Sequence, residues 1–267
     1  MSALDTALLR RVEDAGLNAS APPQQRWMDG WLVRASPGKA KRARCINAVA
    51  PGQQPWPEKL ARAAAWFQAQ GLPLLVRITP YTQPADLNAQ LAAAGWATLD
   101  DTRVMVCPQL PALAPPVWPS AWVCVRLDAP AFAQAVGRLR ASPAEQQAAH
   151  AERLAASPVP YAGWAVQASA TGEVLACGQF AREDELVGLY DVFTAEAARG
   201  QGLARRLCQH LLALAAAEGA KVAYLQVEAD NHPARRLYQQ LGFSDAYAYH
   251  YRQAPPPGAA CTSALGG

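Results

Sequence analysis

The chain has 267 residues, enough for one large or two modest domains, and 51% of them are hydrophobic, which suffices for packed cores and argues against a disordered chain. Its formal net charge of +3 is too small to indicate a nucleic-acid partner on charge alone. No run of eighteen or more apolar residues occurs, and Met1-Ser-Ala-Leu-Asp5 lacks the charged-then-apolar order of a secretion signal, so a cytoplasmic protein without a membrane partner is expected.

Cys45, Cys107, Cys124, Cys177, Cys208 and Cys261 form no Cys-x-x-Cys pair, and His150, His210, His232 and His250 are dispersed. Neither a disulfide framework nor a metal site is expected, and the cysteines read as small buried hydrophobes.

Leu4, Leu8, Val12 and Ala15 share one helical face, with Gly16 as a stop, so the chain is expected to open with a short amphipathic helix. Residues 27–34 and 44–49 read as strands flanking a loop with Pro37-Gly38. That loop carries Arg34, Lys39, Lys41, Arg42 and Arg44. It could contact phosphate or RNA, but no aromatics interleave it, and a solvated hairpin tip is the preferred reading. A helix over about 57–70, a strand over 74–79, a helix over about 85–94 closed by Gly95 and a strand over 103–107 follow.

Residues 108–119 hold proline at five of twelve positions and read as a semi-rigid linker. Beyond it come a strand over 122–127, helices over 130–140 and 143–156, and an antiparallel pair, 161–168 and 174–181, turned at Thr171-Gly172. The apolar, β-branched run 186–192 reads as a buried strand. Leu203, Leu207, Cys208, Leu211, Leu214 and Ala215 then recur at the helical period, with Arg205, Arg206, Gln209 and His210 opposite. A strand over 222–227, a helix, Gly242-Phe243 and a strand over 247–252 complete the order, and a disordered tail is expected over 254–267.

The turn Arg199-Gly200-Gln201-Gly202-Leu203-Ala204 therefore sits where a helix begins. Unpaired N–H groups, the positive end of the helix dipole and two glycines make that place an anion site. It is not an NTPase loop, because Leu203-Ala204 stands where Lys-Ser or Lys-Thr is needed, nor a dinucleotide fingerprint, because Arg205 replaces the third glycine.

What remains, Arg-x-x-Gly-x-Ala, resembles the R/Q-x-x-G-x-G/A signature of the GNAT superfamily of acyl-CoA-dependent N-acyltransferases. One helix and one strand later, Asn231-His-Pro-Ala-Arg-Arg-Leu-Tyr238-Gln-Gln-Leu-Gly-Phe243 matches the family's second signature, N-x-x-A-x-x-L-Y-x-x-L-G-F, at every fixed position. The resemblance covers about 122–252 and implies an α/β (α+β) mixed sheet whose central strands, 186–194 and 222–227, splay apart. Into that gap would go the pantetheine arm of acetyl-CoA, its amides paired with the backbone of Val192, Phe193 and Thr194. N–H groups from Gly200 through Gln201, Gly202 and Leu203 to Ala204 would hold the pyrophosphate, with Arg199 adding charge. No proline stands near Glu196, where the family usually has one.

The resemblance also makes Tyr238 the group that protonates the departing thiolate. By periodicity alone, Ala234, Leu237, Tyr238 and Leu241 form a core stripe, and the motif reverses that preference. Asn231 would contact the cofactor or order the turn, with a plain helix cap as the alternative. Asp191, Glu228 and Asp230 are candidate bases, and none is chosen. Arg205 and Arg206 could reach a 3′-phosphate, although surface charge is the commoner role of helical arginines.

Gly71 and Gly95 are 24 positions apart and Gly219 and Gly242 are 23 apart, each pair enclosing a strand and a helix. This is read as an internal duplication. Aligning Gly95 with Gly242 puts Leu91 under Tyr238 and Pro84 under Asn231, so the first copy lacks both phenol and anion cradle. The chain thus resembles tandem-GNAT proteins: a degenerate domain at 1–107, the linker at 108–119 and an acyl-CoA-binding domain at 120–253. The implied function is an N-acetyltransferase moving an acetyl group from acetyl-CoA directly to an amine acceptor. A non-catalytic acyl-CoA sensor is the alternative, and acceptor identity and homo-oligomer formation stay open.

Overall fold

The computed structural model describes residues 5–111 and 114–255. They form a mixed α/β fold of eleven strands and seven α-helices, and no described helix is long and apolar enough to cross a membrane. The strand order is β1-β2-β3-β4-β11-β5-β10-β9-β8-β7-β6. The residues cluster into two compact units that do not follow the chain in order: 5–23 group with 103–246, and 24–102 group with 247–255. β5 (Ala97–Cys107) and β11 (Ser244–Gln253) each contribute residues to both.

In the unit built on 24–102, β1 (Gln25–Met28), β2 (Trp31–Arg34) and β3 (Ile46–Asn47) are antiparallel, β3 runs parallel to β4 (Leu75–Ile78), and β11 pairs antiparallel with β4. The run 27–34, expected as one strand, instead folds back at Asp29-Gly30. Both residues have positive φ, 44° and 81°, the pattern of a tight hairpin turn that an Asp-Gly pair favours. Lys59 of α2 (Trp56–Ala69) secures that turn, donating to the Asp29 carbonyl at 3.0 Å from a position only 2% exposed. The basic segment after β2 is not a solvated tip. Arg34 is 1% exposed and donates to Gln25, and Lys41 pairs with Asp100 at 2.6 Å. Trp31, Val33, Ile46, Phe67, Val76, Leu87 and Leu91 form this unit's core, the leucines coming from α3 (Leu87–Ala93).

The other unit opens with α1 (Thr6–Ala19), which runs through Gly16, the expected stop. A β-carbon at Gly16 would lie 3.1 Å from the Gln226 amide, so close packing explains this glycine. The helix ends at Ser20, whose hydroxyl donates back to the Gly16 carbonyl. β6 (Trp122–Leu127), β7 (Tyr161–Ala168), β8 (Val174–Glu183) and β9 (Leu186–Thr194) form an antiparallel series, and β9 runs parallel to β10 (Val222–Glu228). Side chains alternate across a strand, so β8 reports on both faces. Ala176 and Phe180 join the cluster of Leu203, Leu207 and Leu211 from α6 (Leu203–Ala217), whereas Cys177 joins Phe132 and Val136 of α4 (Ala129–Leu139) and Leu154 of α5 (Ala144–Ala155). Helix α6 therefore covers one face of the sheet, and α4 the other.

Described residues of the proline-rich segment lie against the α6 side: Leu110 donates to the Lys221 carbonyl, Trp118 packs into the α6 cluster, and Arg206 donates to the Val117 carbonyl, while 112–113 lie outside the described residues. From residue 256 onward the expected tail lies outside the described residues, as does Cys261. Cys45, Cys107, Cys177 and Cys208 are free and buried, and Cys124 is partly exposed.

Leu207 is fully enclosed on the face of α6 that meets β8. Leu207→Ala should lower the unfolding free energy by about 2–5 kcal/mol, read by urea denaturation, because the rigid sheet beneath cannot fill the cavity.

Candidate active site

The parallel pairing of β9 with β10 runs from Leu186/Val222 to Leu189/Leu225 and stops. Both strands continue, β9 to Thr194 and β10 to Glu228, so their C-terminal ends diverge. The register on the other side of β9 shows why. Gln179 faces Tyr190 and Cys177 faces Phe193, which leaves Asp191 and Val192 together opposite Gly178. This is a β-bulge, and Asp191 carries its positive φ of 51°. Gly178 leaves room for it; a β-carbon there would press on Leu207, Leu211 and Val192 at 3.2–3.3 Å.

Past the bulge, Ala195 donates to the Leu175 carbonyl at 2.8 Å. Alternation along the antiparallel ladder then directs the Phe193 groups toward β8 and those of Val192 and Thr194 toward the side β10 has left. The Thr194 hydroxyl oxygen is buried without a hydrogen-bond partner.

A short 3₁₀ turn (Glu196–Ala198) leads into the loop 199–202, expected from the sequence to bind an anion. Gly200 and Gly202 have φ of 77° and 78°, a left-handed path that glycine adopts without strain. Gly202 caps α6, and the first helical bond runs from the Arg206 amide to the Gly202 carbonyl at 3.1 Å. Among the described residues, the amides of Gly200 through Arg205 meet no protein acceptor. Arg199, Gly200, Gln201 and Gly202 are exposed, and a β-carbon at either glycine would meet open space. A row of unpaired, accessible N–H groups at the positive end of a fifteen-residue helix suits a phosphate or pyrophosphate. Arg205 donates to Gln240, so this arginine, like Arg206 with Val117, is engaged by protein.

Tyr238 lies on α7 (His232–Gln240), 8% exposed, its ring edge-on to Phe243 at 6.1 Å. Its hydroxyl has no hydrogen-bond partner among the described residues. Burial, reinforced by the neighbouring Cys208, raises its pKa well above the ordinary phenol value, so it is a protonated donor at neutral pH. Asn231 caps α7, accepting from the Ala234 amide at 3.2 Å on an exposed turn. Glu228, the last residue of β10, and Asp230 just past it are exposed.

Asp191 is placed differently from a base waiting for a proton. Its carboxylate accepts from Arg140 Nη1 at 2.9 Å and from Gln179 Nε2 at 2.8 Å, with His150 Nε2 at 3.3 Å. Burial pushes its pKa up, but His150, Arg140 and Arg153 outweigh that and hold it far below the usual carboxylate range. Nothing in the sequence announces this cluster, because its members come from β9, α4, β8 and α5. The same is true of Tyr190 and Tyr224, whose hydroxyls meet at 2.9 Å across β9 and β10 before the strands part.

The family model described as "Probable histone acetyltransferase Rv0428c C-terminal" matches residues 6–252. The chain belongs to this family. It is a GNAT-fold, acetyl-CoA-dependent N-acetyltransferase. Solved structures share the acetyltransferase's fold. A GCN5-related N-acetyltransferase from Kribbella flavida superposes with TM-score 0.65 at 17% identity, over 95% of this chain and 97% of that one. Another from Sphaerobacter thermophilus gives 0.58 at 18% identity over 74% and 67%. A tandem GNAT protein from the clavulanic acid biosynthesis pathway gives 0.58 at 16% identity over 75% and 70%. No curated protein sequence matches the chain.

Because the Asp191 pKa is depressed in the fold, the carboxylate's contribution to stability is present above the unfolded value of about 3.9 and is lost as pH falls through the folded one. The stability gap between wild type and Asp191→Asn should therefore shrink as pH falls below 4, as urea titrations at each pH would read.

Proposed function

We propose that this acetyltransferase moves the acetyl group directly from acetyl-CoA to a primary amine within the cleft between β9 and β10. The observation that carries the reading is the pairing of two vacancies in hydrogen bonding on one wall. The β9 edge at Val192 and Thr194 has lost its neighbouring strand, and the amides from Gly200 to Arg205 lack acceptors. An extended ligand with amides along its length and a diphosphate at one end satisfies both. Acetyl-CoA has that form, and its thioester supplies an activated acetyl group.

In this reading Val192, Phe193 and Thr194 form the edge beside the pantetheine amides, with Val192 and Thr194 offering the outward groups and the buried Thr194 hydroxyl finding its partner in the ligand. Gly200, Gln201, Gly202, Leu203 and Ala204 bind the diphosphate through their amides, and Arg199 adds charge at the exposed rim. Tyr238 donates its proton to the leaving sulfur; a phenol that burial keeps protonated suits that step. Asn231 orders the start of α7 and so sets where Tyr238 stands. Asp191, already engaged by Arg140 and Gln179, is not the base that relieves the amine of its proton.

The N-terminal half is proposed to be a second, degenerate copy of the same unit. Helix, strand, helix and strand recur as α2, β4, α3, β5 and as α6, β10, α7, β11, and Gly71, Gly95, Gly219 and Gly242 all take positive φ at equivalent places. The matched family's description names a histone acetyltransferase, so a lysine side chain belongs among the acceptors to be tried beside small amines.

Calorimetry should show acetyl-CoA binding, and an amine panel including lysine-bearing histone-tail peptides should release free thiol. Tyr238→Phe should lower kcat about 10²-fold while leaving the acetyl-CoA dissociation constant within twofold of wild type. A Phe variant with wild-type turnover would remove Tyr238 from its role.

A further inference from the structure

The bulge at Asp191 decides where the outer edge of β9 points, so whatever holds the bulge acts on the cofactor wall. A non-glycine residue in the left-handed region is uncommon, and persists where its surroundings over-determine it. Asp191, at φ 51°, is surrounded in that sense. Arg140, at the C-cap of α4, reaches one carboxylate oxygen at 2.9 Å; Gln179, from β8, reaches the other at 2.8 Å, where His150 of α5 also stands at 3.3 Å. Gln179 is 1% exposed and sits in the register position beside the bulge, facing Tyr190. Arg140 also lies over the ring of Phe193, 5.5 Å from its centroid, so one guanidinium touches residues on both sides of Val192.

We propose that the hydrogen bonds from Arg140 and Gln179, with His150 packed beside them, clamp Asp191 and thereby hold Val192 and Thr194 in the orientation that receives acetyl-CoA, making Asp191 a positioning residue and not a catalytic one. The clamp draws on both helices that cover the face opposite α6, tying the cofactor wall to that face. This inference rests on the cleft reading above and adds to it the means by which the cleft is kept open.

The physical consequence is specific. Loosening the clamp lets β9 relax toward regular pairing and misdirects its edge, which weakens cofactor binding in a protein that is still folded. A purely structural ion pair would lower the melting temperature and leave affinity unchanged. Arg140→Gln, at a side chain that is 32% exposed, is the primary variant, with Asp191→Asn beside it.

Coenzyme A and acetyl-CoA dissociation constants would be measured by calorimetry on the full chain at least 15 °C below each variant's melting temperature. Each single variant should bind about tenfold more weakly, the double variant should bind no more weakly than either, and Arg140→Lys should recover part of the loss. Dissociation constants within twofold of wild type for folded Arg140→Gln overturn the clamp while leaving the cleft reading intact. Additive losses in the double variant overturn it equally, since partners in one clamp cannot act independently. Failure of the wild type to bind either coenzyme removes the cleft reading and the clamp with it.

Discussion

The parting of β9 from β10 is the constraint on which the rest depends. Backbone amides and carbonyls in a sheet interior are almost always paired, and two parallel strands that begin in register would ordinarily stay paired to their ends. Here one inserted residue on β9 breaks that continuity. The bulge increases local twist, turns the last residues of β9 away from β10, and leaves a strand edge in the middle of a sheet that is otherwise closed by its neighbours. An open edge of that kind invites an extended ligand much as a sheet edge invites a strand.

The glycine loop before α6 is aligned with this edge because the two are consecutive in the chain. β9 ends at Thr194, a short 3₁₀ turn follows, and α6 starts at Leu203, so one continuous segment presents first an edge and then a row of helix-terminal amides. The apolar stripe of α6 anchors the helix on the sheet through Leu203, Leu207 and Leu211. Burial of that stripe fixes the direction of the helix axis and hence where its positive end points. Packing on one face of a helix therefore sets the electrostatics at its terminus.

The opposite face is built for rigidity of another kind. Tyr161 donates to the Ala19 carbonyl at the end of α1, its ring meets that of Tyr190 at 5.4 Å, and Tyr190 and Tyr224 share a hydrogen bond at 2.9 Å. Gly188 is small because these rings pass over it; a β-carbon there would come within 2.6–2.8 Å of Tyr190 and Tyr224. Together with the carboxylate cluster at Asp191, these contacts connect α1, α4 and α5 to the strands that carry the cleft.

Elements whose signals are local were legible in the sequence. The α6 stripe, the glycines before it, the strand at 222–227 and the helix carrying Tyr238 each declare themselves through periodicity or turn chemistry within a dozen residues, and the strand's bounds lie within one residue of those observed. Asp29-Gly30 is also a local signal, masked by apolar residues on both sides that read as one uninterrupted strand. What tertiary structure alone decided is of a different nature. Gly16 continues a helix because Gln226 packs against it, Arg34 is buried although its segment reads as a basic loop, and Asp191 is held by residues 12 to 51 positions away. Residues 5–23 and 247–255 join units remote from their chain neighbours for the same reason. Side-chain periodicity and glycine placement are short-range properties, whereas pairing across a sheet and charge neutralisation in its interior depend on which distant segments fold against one another.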